Sequence, residues 1–125
     1  MRPGITLDTG GLIALERRRV RMAQIYATAV ADGLPVTTPT AVIAEWWRGR
    51  SDARETILRG IRIEHVTTDL ARLAGEALAA IPSAGAIDAI VMASAARRGD
   101  VVYTSDSADL ERLRDYFPTV TVLSI

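Results

Sequence analysis

The sequence has no cysteine, which excludes disulfides and thiolate metal sites. It has one histidine, His65. A ribonuclease working through two histidines is therefore excluded, and so is a histidine-rich zinc site. A Ser-His-Asp triad would have to use His65, which lies in a strand-like segment with no nucleophile motif beside it. Lysine is absent too, and all 15 basic residues are arginine. They balance 15 acids, so the net charge is zero and the molecule as a whole has no field that draws polyanions. Binding to nucleic acid would have to rest on local clusters such as Arg17-Arg18-Arg19 and Arg21, for which an exposed charged helix face is the simpler reading. There is no Gly-rich phosphate loop. No apolar run reaches membrane-spanning length. The start, Met1-Arg2-Pro3-Gly4, meets Asp8 too soon for a signal peptide, so we expect a cytoplasmic protein with no membrane partner.

Hydrophobic residues make up 49% of the 125, enough for one folded domain, residues 1–125, with a real core. Strand-like and helix-like segments alternate. Ile5 to Leu7 reads as a strand, and a helix follows from Gly10 with Thr9 as its cap. Met22, Ile25, Tyr26, Ala29 and Val30 mark one helix face, stopped by Asp32-Gly33. Pro35 to Thr38 reads as a strand closed by Pro39, and Thr40 to Arg48 as a helix. Asp52 and Glu55 have the spacing of a capping box. Arg62 to Val66 alternates like a strand, and Leu70 to Ile81 has helical spacing. Ile87 to Arg98 is apolar almost all round and predicts a buried helix. Val101 to Thr104 predicts a strand, Leu110 to Phe117 a helix, and Val120 to Leu123 a last strand. This order implies a mainly parallel sheet covered on both faces, with its site beyond the carboxyl ends of the strands.

Four acids stand out in this pattern. Asp8 ends the first strand, Asp106 follows the strand at Val101–Thr104, and Glu45 and Asp88 lie inside apolar helical runs. A carboxylate near a core costs several kcal/mol unless it is paired or binds a metal. Four of them suggest one cation site. Each also has a plainer reading. Asp8 and Asp106 could cap helices, Asp109 could compensate a helix dipole, and Glu45 could pair with Arg48. Thr104 could be an ordinary β-branched strand residue, and Trp46-Trp47 core.

The segments Leu7-Asp8-Thr9-Gly10-Gly11-Leu12, Val42-Ile43-Ala44-Glu45, Ile87-Asp88-Ala89-Ile90-Val91 and Thr104-Ser105-Asp106, with Asp109-Leu110 beyond, resemble in order the motifs of the PIN domain. Within that family the chain is similar to the VapC-type ribonuclease toxins, over nearly its whole length. Gly10-Gly11 departs from the pattern, since many relatives have a serine there. The resemblance implies a three-layer α/β/α sandwich. It implies that Asp8, Asp88 and Asp106, with Glu45, bind Mg²⁺ or Mn²⁺ and hydrolyse RNA phosphodiesters, with Thr104 and Asp109 as auxiliary residues. It further implies a small antitoxin partner and a homodimer. A housekeeping RNA-processing nuclease and a non-catalytic RNA- or protein-binding module are the alternatives. Apolar residues beyond the needs of the core, in the Trp46-Trp47 pair, the Met22–Val30 stripe and the Ile90-Val91 helix, suggest a surface for a partner helix.

Overall fold

The computed structural model describes residues 2–125. Five strands form one sheet: β1 (Ile5–Leu7), β2 (Val36–Pro39), β3 (Arg62–Glu64), β4 (Val101–Thr104) and β5 (Thr121–Ser124). Their order is β3-β2-β1-β4-β5 and every pairing is parallel. The first strand is thus the central one. Its partners are β2 and β4, with Thr6 opposite Thr37 on one side and Val102 on the other. Every residue of β1 and β2 is buried, while β3 and β5 form the partly exposed edges. This explains why the central strands read as continuous apolar or β-branched runs and the edges as alternating ones.

Parallel strands need crossovers, and the helices supply them. α1 (Thr9–Glu16) and α2 (Val20–Ala31) join β1 to β2, and α3 (Thr40–Trp46) and α4 (Asp52–Gly60) join β2 to β3. α5 (Thr68–Ala80) and α6 (Ala86–Arg98) carry the chain back across the sheet to β4. α7 (Ser107–Glu111) and a 3₁₀ turn (Arg112–Asp115) lead into β5. Side chains along β1 alternate between its faces. Leu7 meets α1, where its Cδ2 lies against Gly11, and Thr6 points the other way, to Arg98 of α6.

α6 confirms the expectation of a buried helix: Ala89, Val91, Met92, Ala93, Ser94 and Ala95 are all buried. Its end is set by Gly99, whose φ of 71° suits a residue without Cβ. The Asp100 amide then donates back to the Ala95 carbonyl at 3.0 Å, satisfying one of the helix's last acceptors.

Asp100, only 3% exposed, belongs to a polar network under the sheet. Arg98 Nε donates to Asp100 Oδ2 at 2.9 Å, and Arg98 Nη2 donates to Thr6 Oγ1 and Ser94 Oγ at 2.8 and 2.9 Å. The Thr6 hydroxyl donates to Asp100 Oδ2 at 2.8 Å, and Arg98 Nη1 faces Glu64 Oε2 at 2.8 Å. One guanidinium therefore links β1, β3 and α6. Burial of these charges is tolerable because nearly every group has a partner.

Some sequence expectations need correcting. The α1 cap is Asp8, whose side chain accepts from the Gly11 amide, and Thr9 is the first helical residue. The α4 cap is Ser51, which accepts from the Arg54 amide, so Asp52 and Glu55 form no capping box. A serine one residue earlier places its oxygen where the orphan amides are. The helix expected to reach Arg48 ends at Trp46, and Leu110–Phe117 splits into α7 and the 3₁₀ turn. His65 lies just past β3 and is exposed. Trp46 is core, with Nε1 donating to Glu16 Oε1 at 2.8 Å. Met22 and Val91 are also core, whereas Ile25, Tyr26, Trp47 and Ile90 are partly buried and Val30 is 59% exposed. No helix among the described residues is long and apolar enough to cross a membrane.

Candidate metal centre

The strand order reverses at β1, with β2 on one side and β4 on the other. In open α/β sheets, ligands bind at that reversal, beyond the carboxyl ends of the strands. Asp8 stands there immediately after β1, and Asp106 two residues after β4. Glu45 comes from α3 and Asp88 from the first turn of α6.

Asp8 is the buried floor of this site. Its Oδ1 accepts from the Gly11 amide at 2.8 Å and its Oδ2 from the Thr104 hydroxyl at 2.6 Å. One side chain therefore both caps α1 and reaches the end of β4. Burial pushes its carboxyl above the ordinary 3.8, the hydrogen bonds from Thr104 and Gly11 oppose this, and the Glu45 charge adds to it. Thr104 also accepts from the Asp106 amide at 3.1 Å, so one hydroxyl ties the ends of β1 and β4 together. Thr104 is thus more than a strand residue.

Asp88 is half-buried, and its carboxyl is pushed up to about 6. Burial is the largest cause, followed by the charges of Asp109, Asp8, Glu45 and Asp106. The other three sequence-selected acids thus all act on Asp88, together with Asp109. Asp106 occupies the N-cap position of α7, but its side chain makes no capping bond, and it is exposed. Glu45 is exposed as well and accepts from the Thr9 hydroxyl; Arg48 donates instead to the Trp47 carbonyl. Asp109 lies in the first turn of α7 and pairs with Arg112. Among the described residues, Asp8, Glu45, Asp88 and Asp106 have no ion-pair partner.

The donor set is all oxygen, the kind Mg²⁺ and Mn²⁺ take. No three of the acidic or histidine side chains among the described residues stand close enough to share one ion as arranged. Mg²⁺ usually keeps several waters and needs one or two carboxylates besides phosphate oxygens, so the residues fit such an ion without a closed cage.

Two contributors were missed in the sequence, Thr9 and Ser105. A Cβ at Gly10 would lie 2.2 Å from Ser105 Oγ and 3.3 Å from Ser105 Cβ and N. Gly10 therefore lets α1 approach the loop after β4, and the Ser105 hydroxyl fills the space that a side chain at position 10 would take. Gly10→Ser is expected to destabilise the fold by about 1 kcal/mol, the low end for overpacking, because Ser105 is exposed and can swing away. Adding Ser105→Gly should restore the wild-type melting temperature. No restoration would mean that Gly10 matters for another reason.

The sequence matches no protein-family profile and no curated protein. Its fold does match solved structures. A chain of DNA-bound VapBC from Salmonella typhimurium superposes with a TM-score of 0.75 at 17% identity, covering 98% of each chain. One from VapBC2 of Rickettsia felis, bound to a fragment of promoter DNA, gives 0.76 at 12% identity, covering 97% of this chain and 98% of that one. A toxin–antitoxin complex from Klebsiella pneumoniae gives 0.70 at 17% identity, covering 98% and 100%. The chain thus has the PIN-like α/β/α fold of its VapBC neighbours.

Proposed function

We propose that this protein is a metal-dependent endoribonuclease and the toxin half of a toxin–antitoxin pair. One feature carries the reading: Asp8, Glu45, Asp88 and Asp106 come from elements that meet at the sheet's reversal point, the charges of the other three push the Asp88 carboxyl up after burial, and none of the four has an ion-pair partner among the described residues. Repulsion of that kind persists only where something offsets it, and a divalent ion does so directly.

Asp8, Asp88 and Asp106 would hold the ion once drawn together around it, with Glu45 at the rim. When bound, the ion would supply positive charge against the phosphodiester and acidify nearby water. The chain's own residues do the remaining work. Thr104 and the Gly11 amide fix the Asp8 carboxylate in one orientation. Thr9 holds Glu45 over the site, where an exposed carboxylate is free to orient attacking water and accept its proton. Burial, and after it the Asp109 charge, raises the proton affinity of Asp88.

The fold of the VapBC neighbours supports a small antitoxin for this chain as well. An arginine near the end of such a partner would neutralise the carboxylates, a direct route to inhibition. α2 leaves Val20 and Val30 exposed, which supports self-association through that helix.

The test is direct. Purified protein incubated with structured RNA in Mn²⁺ should cut it internally, and EDTA should stop the cut. Intact RNA in Mn²⁺, with binding retained, would leave the non-catalytic module as the answer.

A further inference from the structure

Beside the carboxylates lies a second feature that the reaction chemistry does not use. A groove of 410 Å³ is lined by Arg17, Arg19 and Arg21 and reaches Gly10 and Ser105. Gly10 is two residues past Asp8, and Ser105 lies between Thr104 and Asp106, so one end of the groove is formed by the segments that carry Asp8 and Asp106. No acid lines it.

The arginines of this stretch differ from most others in the chain. Arg2, Arg50, Arg54, Arg98, Arg112 and Arg114 all sit in ion pairs. Arg17, Arg18, Arg19 and Arg21 are exposed and, among the described residues, make no side-chain hydrogen bond or ion pair. The backbone sorts them. Arg18 has a φ of 54°, the one positive value outside glycine among the described residues. Arg18 lines a separate hollow with Tyr26 and Asp52, while Arg17 and Arg19 stay with Arg21. Strain of this kind, held at a turn that aims charged groups, is typical of ligand-facing segments.

We infer that this groove is a phosphate-backbone subsite, in which Arg17, Arg19 and Arg21 hold a single-stranded RNA segment flanking the phosphodiester at the carboxylates. The inference rests on the nuclease reading for its substrate. Guanidinium groups suit phosphate through paired donors. Ile13 and Met22 form an apolar wall beside them, and a positively charged groove is how sequence-tolerant single-strand binders track a backbone. A molecule of zero net charge gains its affinity for RNA from such a local strip rather than from a global field.

The test compares wild type with a triple variant, Arg17→Gln, Arg19→Gln and Arg21→Gln. A control triple, Arg62→Gln, Arg72→Gln and Arg97→Gln, removes the same charge from exposed arginines elsewhere. Binding of a labelled oligouridylate is titrated in EDTA, so that nothing is cut, across a salt series. Three phosphate contacts on a single strand contribute a slope of about 2 in log affinity against log salt. The groove triple should lose that slope, which is about a hundredfold in affinity at 0.1 M salt. The control triple should bind like wild type. In Mn²⁺ the groove triple should raise KM with kcat nearly unchanged. Equal losses in both triples, or none in the groove triple, would overturn the proposal. So would a polyglutamate peptide outcompeting RNA for the wild type, which would assign the groove to an acidic protein partner. Arginine-dependent binding without any cleavage in Mn²⁺ would leave the groove standing and sink the nuclease reading instead.

Discussion

Asp8→Asn is expected to lower RNA cleavage by about a thousandfold or more, while the metal-free protein melts no lower than wild type. The substitution keeps the side-chain shape and removes one charge. Loss of the ion's charge stabilisation removes several kcal/mol, and each 1.36 kcal/mol is a factor of ten in rate. Stability should not follow. Burial already disfavours the Asp8 carboxylate, and Glu45 adds repulsion, so neutralising it relieves both. Against that gain stands the exchange of one acceptor oxygen for a donor facing Thr104. Cleavage at the wild-type rate in Mg²⁺ would remove Asp8 from the site. A large drop in melting temperature would mean that Asp8 is chiefly a helix cap and strand tie.

Metal-free protein is expected to gain stability on acidification from pH 7.5 to pH 5, through Asp88. Its carboxyl titrates at about 6 in the folded chain against an ordinary 3.8. Between those values the folded state binds the extra proton. Stability is therefore highest near pH 4, falls as pH rises through 6, and then levels. Asp8 is shifted in the same direction and adds to the effect. For a half-buried group the Asp88 contribution is roughly 1–2 kcal/mol after solvent screening. Other acids titrate in the same range, so the measurement is a difference: thermal melts in EDTA at several pH values, wild type minus Asp88→Asn. A difference that does not change with pH would refute the assignment. Mn²⁺ should reverse the trend, because ligands bind metal deprotonated. At a hundred times its dissociation constant the ion adds about 2.7 kcal/mol, and this gain should be larger at pH 7.5 than at pH 5.

The positions of Asp8 and Asp106 just beyond two strands were legible because strand ends are legible. An apolar run stopping at an acid marks a carboxyl end, and parallel sheets put their ligands there. Asp88 was legible for the opposite reason: its helix is apolar nearly all round, which left no solvated face to explain it. The network of Thr6, Glu64, Arg98 and Asp100 was not legible. Thr6 and Asp100 lie 94 residues apart, and nothing local to either says that the other is near. One signal was available in retrospect: Asp100 follows a helix-ending glycine and leads directly into a buried strand. The caps were missed on a finer scale. Ser51 and Asp52 are both good capping types, and the choice between them rests on backbone geometry one residue wide.

The central place of β1 has a consequence for synthesis. The strand made first has both its neighbours made later, and the second of them is β4, about a hundred residues downstream. The hydrogen bond from Thr104 to Asp8 joins residues 96 apart. At roughly 5–20 residues per second, ribosomes take about 5–20 s to cover that interval. For all that time the emerging segment carries Asp8 without the strand that completes its surroundings. The carboxylate site is therefore completed only once β4 has been made, and on the proposed nuclease reading a chain that has not yet reached β4 stays inert toward RNA.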